Sequence, residues 1–125
     1  MRIHLDPLDV LFSRLIKLLA GGLCEYCGRP PKSKQGYHCH HGVVKRRYLN
    51  TRYLTDNCAA VCKSCHDYLD DFPDENVAFF IKRIGTERYE QLKIIARTYR
   101  KMDKSRREEI RKDLENKIAC LKDAE

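Results

Sequence analysis

Four cysteines fall into two Cys-x-x-Cys pairs, Cys24 with Cys27 and Cys62 with Cys65. Each pair can turn two thiolates to one side of a tight knuckle. Four thiolates at about 2.3 Å form the closed tetrahedral shell that structural zinc prefers. Disulfides fit the pattern less well. The cysteine count of seven is odd, and disulfide frameworks belong to exported chains with paired cysteines. The sequence therefore predicts a structural Zn²⁺ on Cys24, Cys27, Cys62 and Cys65. Cys58 and Cys120 read as small apolar side chains, and Cys39 lies inside a histidine cluster.

That cluster, His38-Cys39-His40-His41, together with Asn57 and His66, lies between and just after the cysteine pairs. A zinc staple does not need these residues. A histidine pair at a strand end and a histidine near a helix start can converge on one small space. A divalent metal held there by few protein ligands keeps open positions for a phosphate and can stabilise a leaving oxygen. A histidine not bound to it can take a proton from water near neutral pH. An asparagine can hold that histidine's backbone without adding charge. Such a set suits hydrolysis of a phosphodiester.

Charge points to the same region. The net charge is +7, and residues 28–54 hold seven basic side chains and no acidic one, so the whole excess falls there. Lys32, Lys34, Lys45, Arg46, Arg47 and Arg52 are thus candidate contacts to a DNA backbone. Tyr37, Tyr48 and Tyr53 lie among them and could stack on exposed bases or pack in the fold. His4 reads as solvated. No apolar run reaches the ~18 residues of a membrane span, and Leu11 to Ala20 lacks the features of an export signal. We expect a cytoplasmic chain with no membrane partner.

The elements that must place these groups form one expected domain over 1–125, with an N-terminal helix (1–22), a zinc module (23–72) and C-terminal helices (73–125). Asp6 and Pro7 open the first helix as N-cap and first position. Leu8, Leu11, Phe12, Leu15, Ile16 and Leu19 give it one apolar face. A strand is expected from Tyr37, ending near His41, and a second around Tyr48 to Leu54. A helix capped by Thr55 or Asp56 would then carry Asn57, Val61, Cys62, Cys65, His66 and Leu69. Three more helices follow, with expected caps at Asp74, Thr86 and Ser105. The second of these would turn Tyr89, Leu92, Ile95, Ala96 and Tyr99 inward. The last carries a stripe of Ile110, Leu114, Ile118 and Leu121, suited to packing within the chain or to a homodimer seam.

His41 lies sixteen residues before Asn57, and Cys62-x-x-Cys65-His66 closes the stretch. This pattern resembles the HNH (ββα-metal) nucleases in their zinc-supported form. The resemblance implies an α+β fold, with a small zinc-stapled ββα-metal module packed against the N-terminal and C-terminal helices. It implies His41 as general base, Asn57 as its support, and His40 and His66 as ligands of a catalytic Mg²⁺ or Mn²⁺. The runs Asn50 to Asn57, Cys62 to Cys65 and Phe80 to Glu90 are similar to phage recombination endonucleases of the Rap/NinG type. That likeness implies a metal-dependent DNA endonuclease acting on D-loop or Holliday-type DNA in a bacterial host. Two departures stand out. The stretch before the first cysteine pair is a single helix. His38 and His40 also occupy positions where that family has an acidic residue and a glycine, so His38 is an alternative metal ligand. Two other readings share the fold: a zinc-dependent DNA-binding accessory without catalysis, and a sequence-specific restriction or homing nuclease.

Overall fold

The computed structural model describes residues 6–98 and 100–123; His4 and Tyr99 lie outside them. The element order is α1 (Pro7–Leu19), β1 (Tyr37–His41), α2 (Leu49–Arg52), a 3-10 turn (Thr55–Asn57), β2 (Cys58–Cys62), α3 (Lys63–Asp71), α4 (Pro73–Ile84), α5 (Thr86–Arg97) and α6 (Lys104–Asp123). The fold is α+β. The strands pair antiparallel, with Tyr37 opposite Cys62 and His41 opposite Cys58.

Alternation along these two strands sorts the molecule into layers, because successive strand side chains point to opposite faces. Cys58 and Ala60 join Leu8, Phe12, Leu15 and Ile16 of α1 and Leu114 and Ile118 of α6. Ala59 and Val61 face Leu69 of α3, Phe80 of α4 and Tyr89 of α5. Cys58 to Val61 are therefore fully buried. The outer edge of β2 is also occupied. The Glu25 amide donates to the Ala60 carbonyl at 2.8 Å, and the Ala60 amide donates to the Glu25 carboxylate at 2.6 Å.

The second strand thus lies at Cys58–Cys62, not around Tyr48 to Leu54. Small and β-branched residues buried on both faces show no alternation, so the run resembles the start of a helix. Tyr48 to Leu54 instead wraps into α2, where the Thr51 amide and hydroxyl both donate to the Tyr48 carbonyl at 3.2 Å. Asn57 ends the 3-10 turn before β2, so Asn57, Val61 and Cys62 lie outside the α-helix that carries Cys65, His66 and Leu69. Asp6 caps α1 as expected, accepting from the Leu8 amide at 2.9 Å. Three later caps shift. Phe72 alone joins α3 to α4, with Pro73 at the first helical position, so Asp74 sits inside the first turn. Gly85 caps α5. Asp103 accepts from the Arg106 amide at 2.9 Å, which puts Ser105 within the first turn of α6.

The apolar stripe of α6 is spent on α1, with Leu114 and Ile118 buried there. Among the described residues, no helix is long and apolar enough to cross a membrane.

Asp9 of α1 fastens the basic loop to this frame. Arg52 Nε donates to it at 2.9 Å and Arg46 at 2.6 Å, and the Asp9 side chain is only 18% exposed. Burial pushes its carboxyl up, but the bonds from Arg52 and Arg46 outweigh that and hold it below its usual value. A depressed carboxylate contributes stability that is full above its unfolded pKa of about 3.9 and is lost as the pH falls through its folded value. Asp9→Asn should therefore lower stability at pH 7 by about 2 kcal/mol. The gap from wild type should narrow below pH 4, as denaturant titrations at pH 7 and pH 3 would show. A gap unchanged at acid pH would remove Asp9 from the acid response.

Candidate functional site

The cysteines meet at the junction of the first knuckle, β2 and α3. Cys24, Cys27, Cys62 and Cys65 each offer a sulfur within 4.8 Å of the others. The Cys27 and Cys62 sulfurs are 4.0 Å apart, close to the roughly 3.8 Å edge of a tetrahedron built on 2.3 Å bonds. Gly28 closes the knuckle at φ +77, a conformation that costs glycine no side-chain clash. The Cys27 amide points at the Cys24 sulfur at 3.5 Å. Burial raises the Cys62 thiol, but the Ser64 hydroxyl and the Cys65 amide bond its sulfur and pull it down to about 6. The donor set fits a structural zinc.

Strand alternation divides the histidines. His38 and His40 project from the face of β1 that packs on α3 and α4, where their rings lie 5.1 and 5.0 Å from the His66 ring. His41 projects from the other face, 5.8 Å from the Phe12 ring of α1. The histidine pair expected to share one space is thus split across the strand end. Cys39 and Cys58 lie on the His41 side, within 4.8 Å of it. Burial pushes the Cys58 thiol well up, in keeping with its apolar reading, while Cys120 is exposed on α6.

The hydrogen bonds determine which ring nitrogens keep a lone pair. His38 Nε2 lies 3.1 Å from the Gln35 carbonyl, so it carries the proton and Nδ1 is an acceptor. His66 Nδ1 lies 3.2 Å from that acceptor and therefore donates. This leaves the lone pair of His66 on Nε2, which faces Asp70 at 3.7 Å. For His40, the Asn76 amide nitrogen donates to the Gly42 carbonyl at 2.8 Å, so the Asn76 oxygen accepts from His40 Nε2 at 2.8 Å. His40 Nδ1 is left with its lone pair, facing Asp70 at 4.0 Å. Two imidazole lone pairs and a carboxylate thus look inward on one point, and His40, His66 and Asp70 lie close enough to share an ion. His40 is 5% exposed, and burial holds its pKa below the ordinary range. A neutral imidazole is the form that binds a metal. These N/O donors suit a divalent cation with open positions. His38 bonds the other nitrogen of His66, as outer partners of metal-bound histidines do.

On the opposite face, His41 Nε2 donates to the Arg52 carbonyl at 3.0 Å and leaves Nδ1 free to accept a proton. Burial lowers its pKa against the raising effect of that carbonyl, so the ring is neutral at pH 7. Asn57 is fully buried, and its side-chain hydrogen bonds do not go to the His41 ring. Its side chain accepts from the Val44 amide at 2.7 Å and donates to the Val44 and Thr51 carbonyls at 3.0 and 3.2 Å. Its carbonyl accepts from the Gly42 amide at 3.0 Å. Asn57 therefore clamps both ends of the basic loop that begins beside His41. Gly42 lies flat on Phe80, and a Cβ there would meet the ring at 1.9 Å, so only glycine fits the turn after His41.

The basic candidates separate too. Lys32, Lys34, Lys45 and Arg47 are exposed, and Arg46 is exposed while paired to Asp9. Arg52 is turned inward at 16% exposure, where it supports the carbonyl that holds His41. Tyr53 is buried and Tyr48 is exposed. Tyr37 is half-buried, and its hydroxyl donates to the Leu23 carbonyl at 2.8 Å. Sequence reasoning missed Asp70 and Asn76. Asp70 had a signal, since it follows His66 by four positions and shares its helix face. Asn76 had no such signal, since it follows Asp74 and Glu75 near the start of α4 and reads there as one more polar residue.

Residues 24–71 match the family model described as HNH endonuclease. No curated protein and no solved structure matches the chain. The matched stretch contains the four cysteines and the converging His40, His66 and Asp70, and it supports a metal-dependent nuclease acting on DNA.

Proposed function

We propose that this chain is a metal-dependent DNA endonuclease that cuts branched recombination intermediates. One observation carries the nuclease reading: the lone pairs of His40 Nδ1 and His66 Nε2 face the Asp70 carboxylate, inside the stretch that matches HNH endonucleases. The preference for branched DNA rests on the likeness of Asn50 to Asn57 and Phe80 to Glu90 to the phage recombination nucleases.

His40, His66 and Asp70 would hold the catalytic Mg²⁺ or Mn²⁺, and His38 would orient His66. An ion bound there supplies Lewis-acid stabilisation of the charge on the phosphate and the departing 3′ oxygen. His41 Nδ1 takes a proton from water, whose oxygen forms the new bond to phosphorus as the bond to the 3′ oxygen breaks. The 5′ phosphate remains on one product, and the 3′ oxygen gains its proton from solvent. His41 is the last residue of β1, with the metal-binding group on one side of the strand and its own ring on the other. The scissile phosphate therefore lies across the strand end. Lys45, Arg46 and Arg47 hold the backbone there, with affinity that falls as salt rises.

Labelled Holliday junction, D-loop and linear duplex, incubated with and without Mg²⁺ or Mn²⁺, test this reading. Cleavage should require the added ion and favour the branched substrates. Asp70→Asn should raise the ion concentration needed for half-maximal rate at least tenfold. Absence of cleavage with either ion, together with intact DNA binding, would overturn the nuclease reading.

A further inference from the structure

A groove of about 930 Å³ runs along α1 beside the edge of β1, away from the metal-binding group. Its size is at the upper end of the roughly 300–1,000 Å³ of pockets that bury small molecules, so it has room for base-sized groups. Val10, Leu18 and Tyr37 make its lining largely apolar, and Arg14, Lys17 and Lys34 supply cations around it. Val10 is 51% exposed, and Lys17 Nζ stands 5.7 Å from the Tyr37 ring centroid. The groove includes one acidic residue, Asp9, and both of its oxygens are engaged by Arg52 and Arg46. Through Arg52, whose carbonyl accepts from His41, that end of the groove adjoins the His41 side of the strand end.

We propose that this groove binds unpaired nucleotides of the DNA substrate, with bases on the apolar lining and phosphates on Arg14, Lys17 and Lys34. A duplex presents phosphates and hides its base faces, so an apolar lining gains little from it. Unpaired strands expose both, and proteins that bind them combine a cationic track with surfaces for the bases. The proposal rests on the DNA nuclease reading and adds a means of selection to it: a D-loop exposes unpaired nucleotides beside its branch point, and a linear duplex does not. Arg14 and Lys17 belong to the charge-balanced N-terminal stretch, so charge counting along the chain passes over them. Folding brings them beside Lys34.

The test is fluorescence-anisotropy binding without added Mg²⁺ or Mn²⁺, using a forked duplex with single-stranded arms and a blunt duplex of equal length. Arg14→Ala with Lys17→Ala and Lys34→Ala should weaken fork binding at least tenfold and leave the blunt duplex within twofold. On the fork, the slope of log affinity against log salt should flatten by about 2, or about 0.7 per lost phosphate contact. Val10→Glu, which spares every cation, should also lower the fork preference. Lys112→Ala with Lys117→Ala, exposed on α6, should change neither. Circular dichroism confirms that each variant folds. Equal losses on both substrates would overturn the proposal in favour of a duplex contact, and no loss on either would remove the groove as a site. Wild type that binds neither substrate would instead refute the DNA reading on which the groove depends.

Discussion

Cys62→Ser is expected to release one zinc per chain and to unfold the module at room temperature. Structural zinc in small modules is worth about 10–16 kcal/mol of folding free energy at pH 7, while whole domains are stable by only about 5–15 kcal/mol. Cys62 ends β2 and abuts α3, Cys65 lies in the first turn of α3, and Cys24 and Cys27 belong to the knuckle against the outer edge of β2. A zinc on these four thiolates would tie together three segments that hydrogen bonds join only sparsely. Losing one thiolate frees the knuckle and unseats α3, which carries His66 and Asp70. Metal analysis and a melting curve measure the effect, with Cys120→Ser as the control. Cys120 is exposed on α6, and its replacement should change neither quantity. An unchanged melting temperature and zinc content in Cys62→Ser would remove the staple.

Local chemistry made the staple and the helices legible in the sequence. Two thiols per knuckle, apolar residues at helical spacing in α1 and α6, and Asp6 before Pro7 each act through near neighbours along the chain. What escaped depends on distant partners. Cys58 to Cys62 form a strand because α1 with α6 covers one face and α4 with α5 covers the other, and Glu25 bonds the free edge. Nothing within the five residues records those partners. The same holds for the split of His40 from His41. Their adjacency suggested a shared site, but once Tyr37–His41 is a strand, a period of two sends them to opposite faces. Asn57 was legible as a support, yet its action on Val44 and Thr51 needs the loop to fold back over it. Asp70 was written in the sequence as the helical partner of His66, four positions on along α3, but that helix also carries Asp67 and Asp71, and only folding brings His40 to Asp70.

His41→Ala is expected to cut the rate of DNA cleavage by about 10²–10⁴, the usual contribution of a positioned acid or base, while DNA binding stays within twofold. The geometry gives this prediction a second, independent part. His41 and the group of His40, His66 and Asp70 stand on opposite faces of β1, so removing His41 should leave the Mg²⁺ or Mn²⁺ concentration for half-maximal rate unchanged. Asp70→Asn, by contrast, should raise that concentration. A ring that merely props the fold would behave differently. It packs on Phe12 and bonds the Arg52 carbonyl, so a propping role would show as a lower melting temperature and as altered binding through the basic loop. Added imidazole separates the two roles, because a small base can occupy the space of the lost ring and take the proton from water without restoring its packing. Partial recovery of cleavage by imidazole, with no change in melting temperature, would identify His41 as the base. A rate loss that imidazole cannot rescue and that tracks the loss of stability would make His41 structural and leave the proton to another acceptor.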